Sequence, residues 1–163
     1  MQKGIAILVS GLSIAFLCGA THAQQLPKSG TISINSGWKA NGDTMQVAEG
    51  RVLAWGAFYG VTFNQRGSGP LHMGHALCNY ILNLTGGAGP GGGTCAWNDA
   101  DGDKIYTDYS ATLGTDGTLN GVNQITGGTG KFSGISGKAP LQCKALSAQM
   151  QFGCTQQFEY KLP

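Results

Sequence analysis

The sequence predicts an all-β protein, a single antiparallel β-barrel of about eight strands that follows a cleaved signal peptide. Glycine supplies 28 of the 163 residues and, with Thr, Ser, Asn and Asp, separates short runs in which apolar and polar residues alternate. No stretch after residue 23 has the apolar period of an amphipathic helix. Closure into a barrel removes the exposed edges that so many strands would leave in an open sheet, and a sandwich is the alternative.

The first 23 residues are typical of a secretory signal. Lys3 supplies a positive charge, residues 5–16 are mostly apolar, and residues 21–23 form the cleavage site. The apolar run is shorter than the roughly 20 residues of a transmembrane helix, and no later segment is long and apolar enough for one. We therefore expect residues 24–163 to form one domain, secreted or periplasmic, with no membrane span.

The predicted strands are identified by alternation, and the last is the clearest. From Ala148 to Tyr160 the residues at every second position are mostly apolar. Because side chains alternate between the two faces of a strand, these residues are predicted to face the core and those between them to face solvent. In chain order the other strands are predicted at 30–38, at 46–64 with a break near Gly50, and at 71–84, 94–98, 104–113, 118–126, 131–139 and 141–144. Residues 86–93, rich in glycine, are predicted to form a mobile loop that can cover a barrel mouth.

The cysteine count changes when the signal is removed. Loss of Cys18 leaves Cys78, Cys95, Cys143 and Cys154, and an even number in an exported chain favours two disulfides. Of the three connectivities we expect Cys78 with Cys95 and Cys143 with Cys154, because each pair closes a short connection between predicted neighbouring strands. A zinc site is disfavoured, since no pair has the spacing of a zinc ribbon.

The net charge gives no sign of a nucleic-acid partner. The full chain has 10 Lys and Arg against 8 Asp and Glu, and the loss of Lys3 leaves nine against eight. A nucleic-acid footprint would be a clustered excess of Lys and Arg on one face, and the sequence has none.

A glycine-spaced stretch runs from Gly127 to Gly137 and reads G-G-T-G-K-F-S-G-I-S-G. It resembles the glycine-rich strand of dirigent proteins and of the wider allene-oxide-cyclase-type barrels, which include small secreted bacterial members. The stretch from Cys95 to Lys104 is also similar to those bacterial members. The resemblance covers about residues 94–139. It implies a calycin-like barrel with a mostly apolar cavity that holds a reactive intermediate in one shape while it cyclises.

The same glycines have a local explanation. They permit positive φ and close approach of backbones. A phosphate-binding loop is disfavoured, because strand-like sequence and no helix follows them.

The acidic turn is a candidate calcium site. Asp99, Asp101 and Asp103 lie at alternate positions, and three carboxylates so spaced are ligands that calcium accepts. An EF-hand loop would need glycine sixth and glutamate twelfth, whereas Gly102 is fourth and Ser110 is twelfth. The alternative is a plain hairpin turn at Asp101 and Gly102.

No catalytic motif is visible, so a binding or structural role is favoured over an enzymatic one. His72 and His75 would face opposite sides of a strand, and no Gly-x-Ser-x-Gly pattern is present. A barrel of this size can hold one small apolar ligand. The aromatic residues predicted to contact it are Trp38, Trp55, Phe58, Phe63, Tyr80 and Trp97. The other candidate ligand-binding set is Glu49, Arg51, Trp55, Tyr59, His75 and Asn79. Dirigent-like or cyclase-like activity is the alternative, and a metal-dependent hydrolase is third.

Overall fold

A computed structural model describes residues 26–163, and the predicted signal peptide at 1–23 lies outside them. The strands are β1 (Ser29–Ala48), β2 (Arg51–Asn64), β3 (Gly74–Thr85), β4 (Gly89–Asn98), β5 (Lys104–Leu113), β6 (Thr118–Gly128), β7 (Ser136–Ser147) and β8 (Gln151–Lys161), with a 3₁₀ helix at Gly130–Phe132. Each strand pairs antiparallel with the next, and β1 pairs with β8, so the barrel closes. The predicted fold class is confirmed. Within residues 26–163, no helix has the length and hydropathy to cross a bilayer.

The structure corrects three of the predicted segments. The glycine-rich stretch 86–93 is not a mobile loop, because β4 begins at Gly89 and pairs with β5 over its full length. The glycines of β4 in this stretch lie against neighbouring backbone, and a Cβ at Gly93 would collide with the carbonyl oxygen of Asn79. The predicted strands 131–139 and 141–144 form the single strand β7, and the residues before it make a 3₁₀ turn instead.

The alternation of side chains decides what fills the barrel. Even-numbered residues of β1, β2, β3 and β8 and odd-numbered residues of β4 to β7 point inward, as their burial shows. Trp38 is buried flat against Gly60, where an added Cβ would lie 2.5 Å from the indole ring. The aromatic core residues make successive edge-to-face contacts: Phe158 with Trp97 at 5.0 Å, Trp97 with Trp38 at 5.4 Å, and Trp38 with Phe58 at 6.3 Å between ring centroids.

Both predicted disulfides are confirmed. Cys78 is bonded to Cys95 and Cys143 to Cys154, each pair at directly opposite positions of neighbouring strands. All four sulfurs belong to inward-facing, buried residues. Two such bonds indicate an oxidising compartment, such as the periplasm or the outside of the cell.

Candidate functional site

The interior of the barrel contains a cavity of about 40 Å³. Its wall is apolar apart from two amides and a phenol, and both disulfides contribute to it. The lining residues are Trp38, Phe58, Cys78, Cys95, Trp97, Tyr109, Leu119, Asn123, Leu141, Cys143, Phe152, Cys154 and Gln156. The cavity has room for roughly three water molecules, whereas a cavity that binds benzene measures about 150 Å³.

Two short hydrogen-bond chains cross the interior. The Trp38 indole donates to the Ser36 hydroxyl at 2.8 Å, and that hydroxyl donates to Oε1 of Gln156 at 2.9 Å. In the second chain the Trp97 indole donates to the Thr107 hydroxyl at 3.0 Å. The Thr107 hydroxyl in turn donates to Oδ1 of Asn123 at 3.0 Å.

Each chain ends on an amide oxygen, so the amide NH₂ groups of Asn123 and Gln156 are not used by it. Asn123 is 1% and Gln156 3% exposed, and both line the cavity. Neither NH₂ is a fully buried group without a partner, since within residues 26–163 that description fits Nδ1 of His72 alone. The cavity is therefore an apolar space with two hydrogen-bond donors in its wall.

One end of the barrel, which we call the closed end, lies where β2 leads to β3, β4 to β5 and β6 to β7. Leu71, Phe132 and Ile135 from the connections there are 0 to 3% exposed and cover the end of the core. The opposite end, the open end, carries only short turns. There the inward-facing Phe58 and Tyr109 are partly exposed. Access to the cavity is therefore from the open end.

Tyr109 occupies a break in the barrel wall. The pairing of β3 with β4 is interrupted between Cys78 and Ile81, and the Tyr109 hydroxyl donates to the carbonyl of Asn79 there at 3.2 Å. The side-chain oxygen of Asn79 accepts from the amide of Thr94 at 2.6 Å, which closes the rest of the gap. Burial raises the pKa of Tyr109, and the nearby Tyr80 adds to this. Tyr109 is thus a neutral phenol at physiological pH.

The other inward-facing titratable groups on the described strands are also tyrosines. Burial raises the pKa of Tyr80, with a contribution from Asp43, and burial raises the pKa of Tyr160, with Arg66 opposing it. These strands therefore direct neutral hydrogen-bonding groups into the barrel.

The acidic turn lies at the closed end and surrounds an ammonium group. Nζ of Lys131 is 2.5 Å from Asp99 and 3.9 Å from Asp103, and it also forms an ion pair with Asp101. The Asp103 carboxylate accepts a hydrogen bond from the backbone amide of Lys131 at 3.0 Å, and the Asp99 carboxylate accepts one from the backbone amide of Leu71 at 2.8 Å. We call Asp99, Asp101, Asp103 and Lys131 the lysine lock.

The lock joins two segments of the sequence, the stretch 95–104 and the glycine-spaced stretch 127–137. Asp99, Asp101 and Asp103 belong to the first segment and Lys131 to the second. Gly130 has φ +55°, and a Cβ there would collide with the Asp103 carboxylate. Only glycine fits this position without displacing the acidic turn.

Ion pairing shifts the pKa values of two members of the lysine lock, Lys131 and Asp101. Burial alone would lower the pKa of Lys131, but hydrogen bonds to Asp101 and Asp99 outweigh it and raise that pKa. The hydrogen bond from Lys131 lowers the pKa of Asp101. The position a calcium ion would take among the three carboxylates is held by the ammonium, and in residues 26–163 no cluster of three His, Cys, Asp or Glu side chains is arranged to hold a metal. The calcium site remains a prediction.

The six predicted ligand-binding residues lie outside the barrel cavity. Glu49 is in the β1–β2 turn, Arg51, Trp55 and Tyr59 face outward from β2, and His75 and Asn79 face outward from β3. A binding role for them elsewhere remains a prediction. Of the predicted aromatic set, Trp38, Phe58, Tyr80 and Trp97 are inside, whereas Trp55 and Phe63 are on the outer face.

Sequence reasoning missed the polar members of the cavity wall, Asn123 and Gln156. A signal was available for Gln156, because it falls on the inward register of β8 between Cys154 and Phe158. A polar residue inside an apolar alternation is the pattern that marks a buried hydrogen-bonding group.

Comparison with known proteins gives no relative. No protein-family model matches the chain, and no match is found among curated proteins or solved structures. The site is therefore interpreted from its own geometry.

Proposed function

We propose that this is an exported binding protein whose barrel holds one small aromatic or aliphatic ligand that carries a hydrogen-bond acceptor. The observation that carries the proposal is the pair of amide donors, Asn123 and Gln156, in an otherwise apolar wall. Ligand sites of this kind combine a hydrophobic lining with a few placed polar groups. The two disulfides support the exported location.

Binding requires the cavity to widen. Its volume of about 40 Å³ is below that needed for a single benzene ring. Phe58 and Tyr109 are the inward-facing aromatic residues with partial exposure, so rotation of their side chains admits a ligand from the open end. The edge-to-face contact of Phe58 with Phe152, at 5.6 Å, is replaced by contact with the ligand.

Calorimetry of the oxidised mature protein with acetophenone and ethylbenzene tests this function. The two probes have nearly the same shape, but only acetophenone has an acceptor. We expect acetophenone to bind about tenfold more tightly, the value of one buried hydrogen bond. Asn123→Leu and Gln156→Leu should reduce that preference, whereas Asn120→Leu, an outward-facing control on β6, should leave it unchanged. Failure of both probes to bind, or an equal affinity for the two, would refute the proposal.

A dirigent-like or cyclase-like activity is the second candidate, and it would use the same cavity. It is supported by the aromatic wall, which can hold an intermediate in one shape, and by the contact between the two segments that resemble that family. The inward-facing tyrosines can donate a hydrogen bond to an oxygen of such an intermediate. Their raised pKa values keep them protonated at neutral pH, so they do not act as bases. For this reason ligand binding is proposed first.

A further inference from the structure

The outer surface of β2 is apolar from Leu53 to Phe63, although it faces away from the core. Of the twelve large apolar side chains that are exposed within residues 26–163, nine lie on β1, β2, β3 or just before β3. After Arg51, the outward residues of β2 are Leu53, Trp55, Ala57, Tyr59, Val61 and Phe63. By contrast the outward residues of β8 are Gln151, Gly153, Thr155, Gln157, Glu159 and Lys161. We call the outward side of β2 from Leu53 to Phe63, together with Met45, Val47, Met73, Leu77 and Ile81, the apolar face.

The size of the apolar face matches that of an interface. The nine exposed side chains range from 37% exposed for Trp55 to 66% for Met73. At roughly 200 Å² for each complete side chain they present on the order of 800 Å², against about 800 Å² per partner in a stable complex. The largest apolar patch of a monomer is typically about 300–600 Å².

The charges beside the apolar face show which partner fits it. Lys39 lies opposite Tyr59 in the β1–β2 pairing, and Asp43 lies opposite Trp55. Ala57 is midway between the two aromatic residues. A two-fold axis through Ala57, perpendicular to β2, therefore puts Lys39 of one copy against Asp43 of the other, twice per dimer. It also puts Tyr59 against Trp55.

The outward residues of β3 fit the same two-fold axis. Leu77 lies opposite Tyr59 in the β2–β3 pairing, and Ile81 lies opposite Trp55. The axis that matches the charges on β1 therefore brings Leu77 against Ile81, apolar against apolar. A two-fold axis along β2 would instead place β1 of one copy over β3 of the other and bury Lys39 against Leu77, which is unfavourable.

We propose that the apolar face binds a second copy of this chain and forms a two-fold symmetric homodimer with β2 antiparallel to its counterpart. Such an interface is isologous, so every contact occurs twice. Ala57 on the axis allows the two sheets to approach closely, and the aromatic residues beside it form the dry centre of the interface. This face is separate from the cavity, so the dimer does not depend on the proposed ligand.

Sedimentation velocity of the oxidised mature protein over a dilution series tests the dimer. We expect a reversible monomer–dimer equilibrium. Tyr59→Glu should raise the dimer dissociation constant at least about 30-fold, the effect of losing a central aromatic residue. Val122→Glu is the control, because Val122 faces outward from β6, on the opposite side of the barrel from β2. Its dimer should remain intact. A wild-type protein that is monomeric at every concentration, or equal effects of the two variants, would overturn the proposal.

A charge exchange tests the register. Lys39→Asp places two carboxylates together on each side of the axis and should weaken the dimer about tenfold. Adding Asp43→Lys to the same chain restores opposite charges and should recover most of the affinity. Lys39 also donates a hydrogen bond to the carbonyl of Gln149 within its own chain, so circular dichroism must show that each variant is folded. A double variant as weak as the single one would refute this register.

Discussion

The closed and open ends of the barrel use the same strands but differ in what covers them. At the closed end Phe132 and Leu71 are completely buried, and the lysine lock ties their two connections to the β4–β5 turn. At the open end short turns leave Phe58 and Tyr109 partly exposed. A barrel with one sealed end can keep its fold while the other end opens to a ligand. The comparison predicts that substitutions at the closed end reduce stability and those at the open end affect access.

The largest difference should come from removing one phenylalanine at each end. Phe132→Ala should lower the free energy of unfolding by about 3–5 kcal/mol, because a fully buried ring is lost and a cavity is left. Phe58→Ala should lower it by about 1–2 kcal/mol, since the partly exposed ring has less surface to lose. Denaturant unfolding of the oxidised proteins measures both. Equal losses at the two ends would contradict the comparison.

The lysine lock should contribute nearly as much. Lys131→Met leaves the buried carboxylate of Asp99 without its cation, which should cost about 3 kcal/mol. Lys144→Met is the matched control, because Lys144 pairs with Asp116 at 3.4 Å but both side chains are more than half exposed. Lys144→Met should lower the free energy of unfolding by less than about 1 kcal/mol. If Lys131→Met costs no more than the control, the lock does not secure the closed end.

The smallest effect is on the pH dependence of stability. The folded pKa of Asp101 is lowered below its ordinary value of 3.8, so its stabilisation is complete above that value and is lost as the pH falls through the folded pKa. Lys131 has a raised folded pKa, and its contribution is lost only at alkaline pH, above its ordinary value of 10.5. The stability difference between wild type and Lys131→Met should therefore shrink below about pH 4. Chemical unfolding from neutral to acidic pH measures it.

Asp116 supplies an internal check on that acid titration. Hydrogen bonds from the hydroxyl and amide of Thr118 lower the pKa of Asp116 to about 2. Asp116 titrates in the same way in wild type and in Lys131→Met, so it cancels in the difference. A difference that stays constant down to acidic pH would show that the lock carboxylates do not respond to Lys131.

The sequence was sufficient for the fold and for the disulfides. Alternation with a period of two is a local signal, and Cys78 and Cys95 are close enough in sequence to belong to one hairpin. The failure at residues 86–93 has a local cause as well. Glycine has no side chain to show alternation, so a strand of close-packed glycines looks like a loop.

The cavity could not be predicted, because β2 gives no sign of which face is inside. Trp55 and Tyr59 are as apolar as the inward residues of that strand, and Gly60 is inward because the Trp38 ring occupies its space. That contact joins two strands and is invisible in either one. The lysine lock is likewise a contact between residues 28 or more positions apart, Lys131 with Asp99, Asp101 and Asp103.

The order of the disulfides has a consequence for how an oxidised barrel is assembled. Of the four cysteines after residue 23, the first is bonded to the second and the third to the fourth, and each pair belongs to one hairpin. An oxidant that meets the cysteines in chain order thus forms the native bonds directly, with no reshuffling step. The pairing of β1 with β8 joins residues 112 or more positions apart, the largest sequence separation of any strand pair in the barrel, so it has the greatest loop-closure cost.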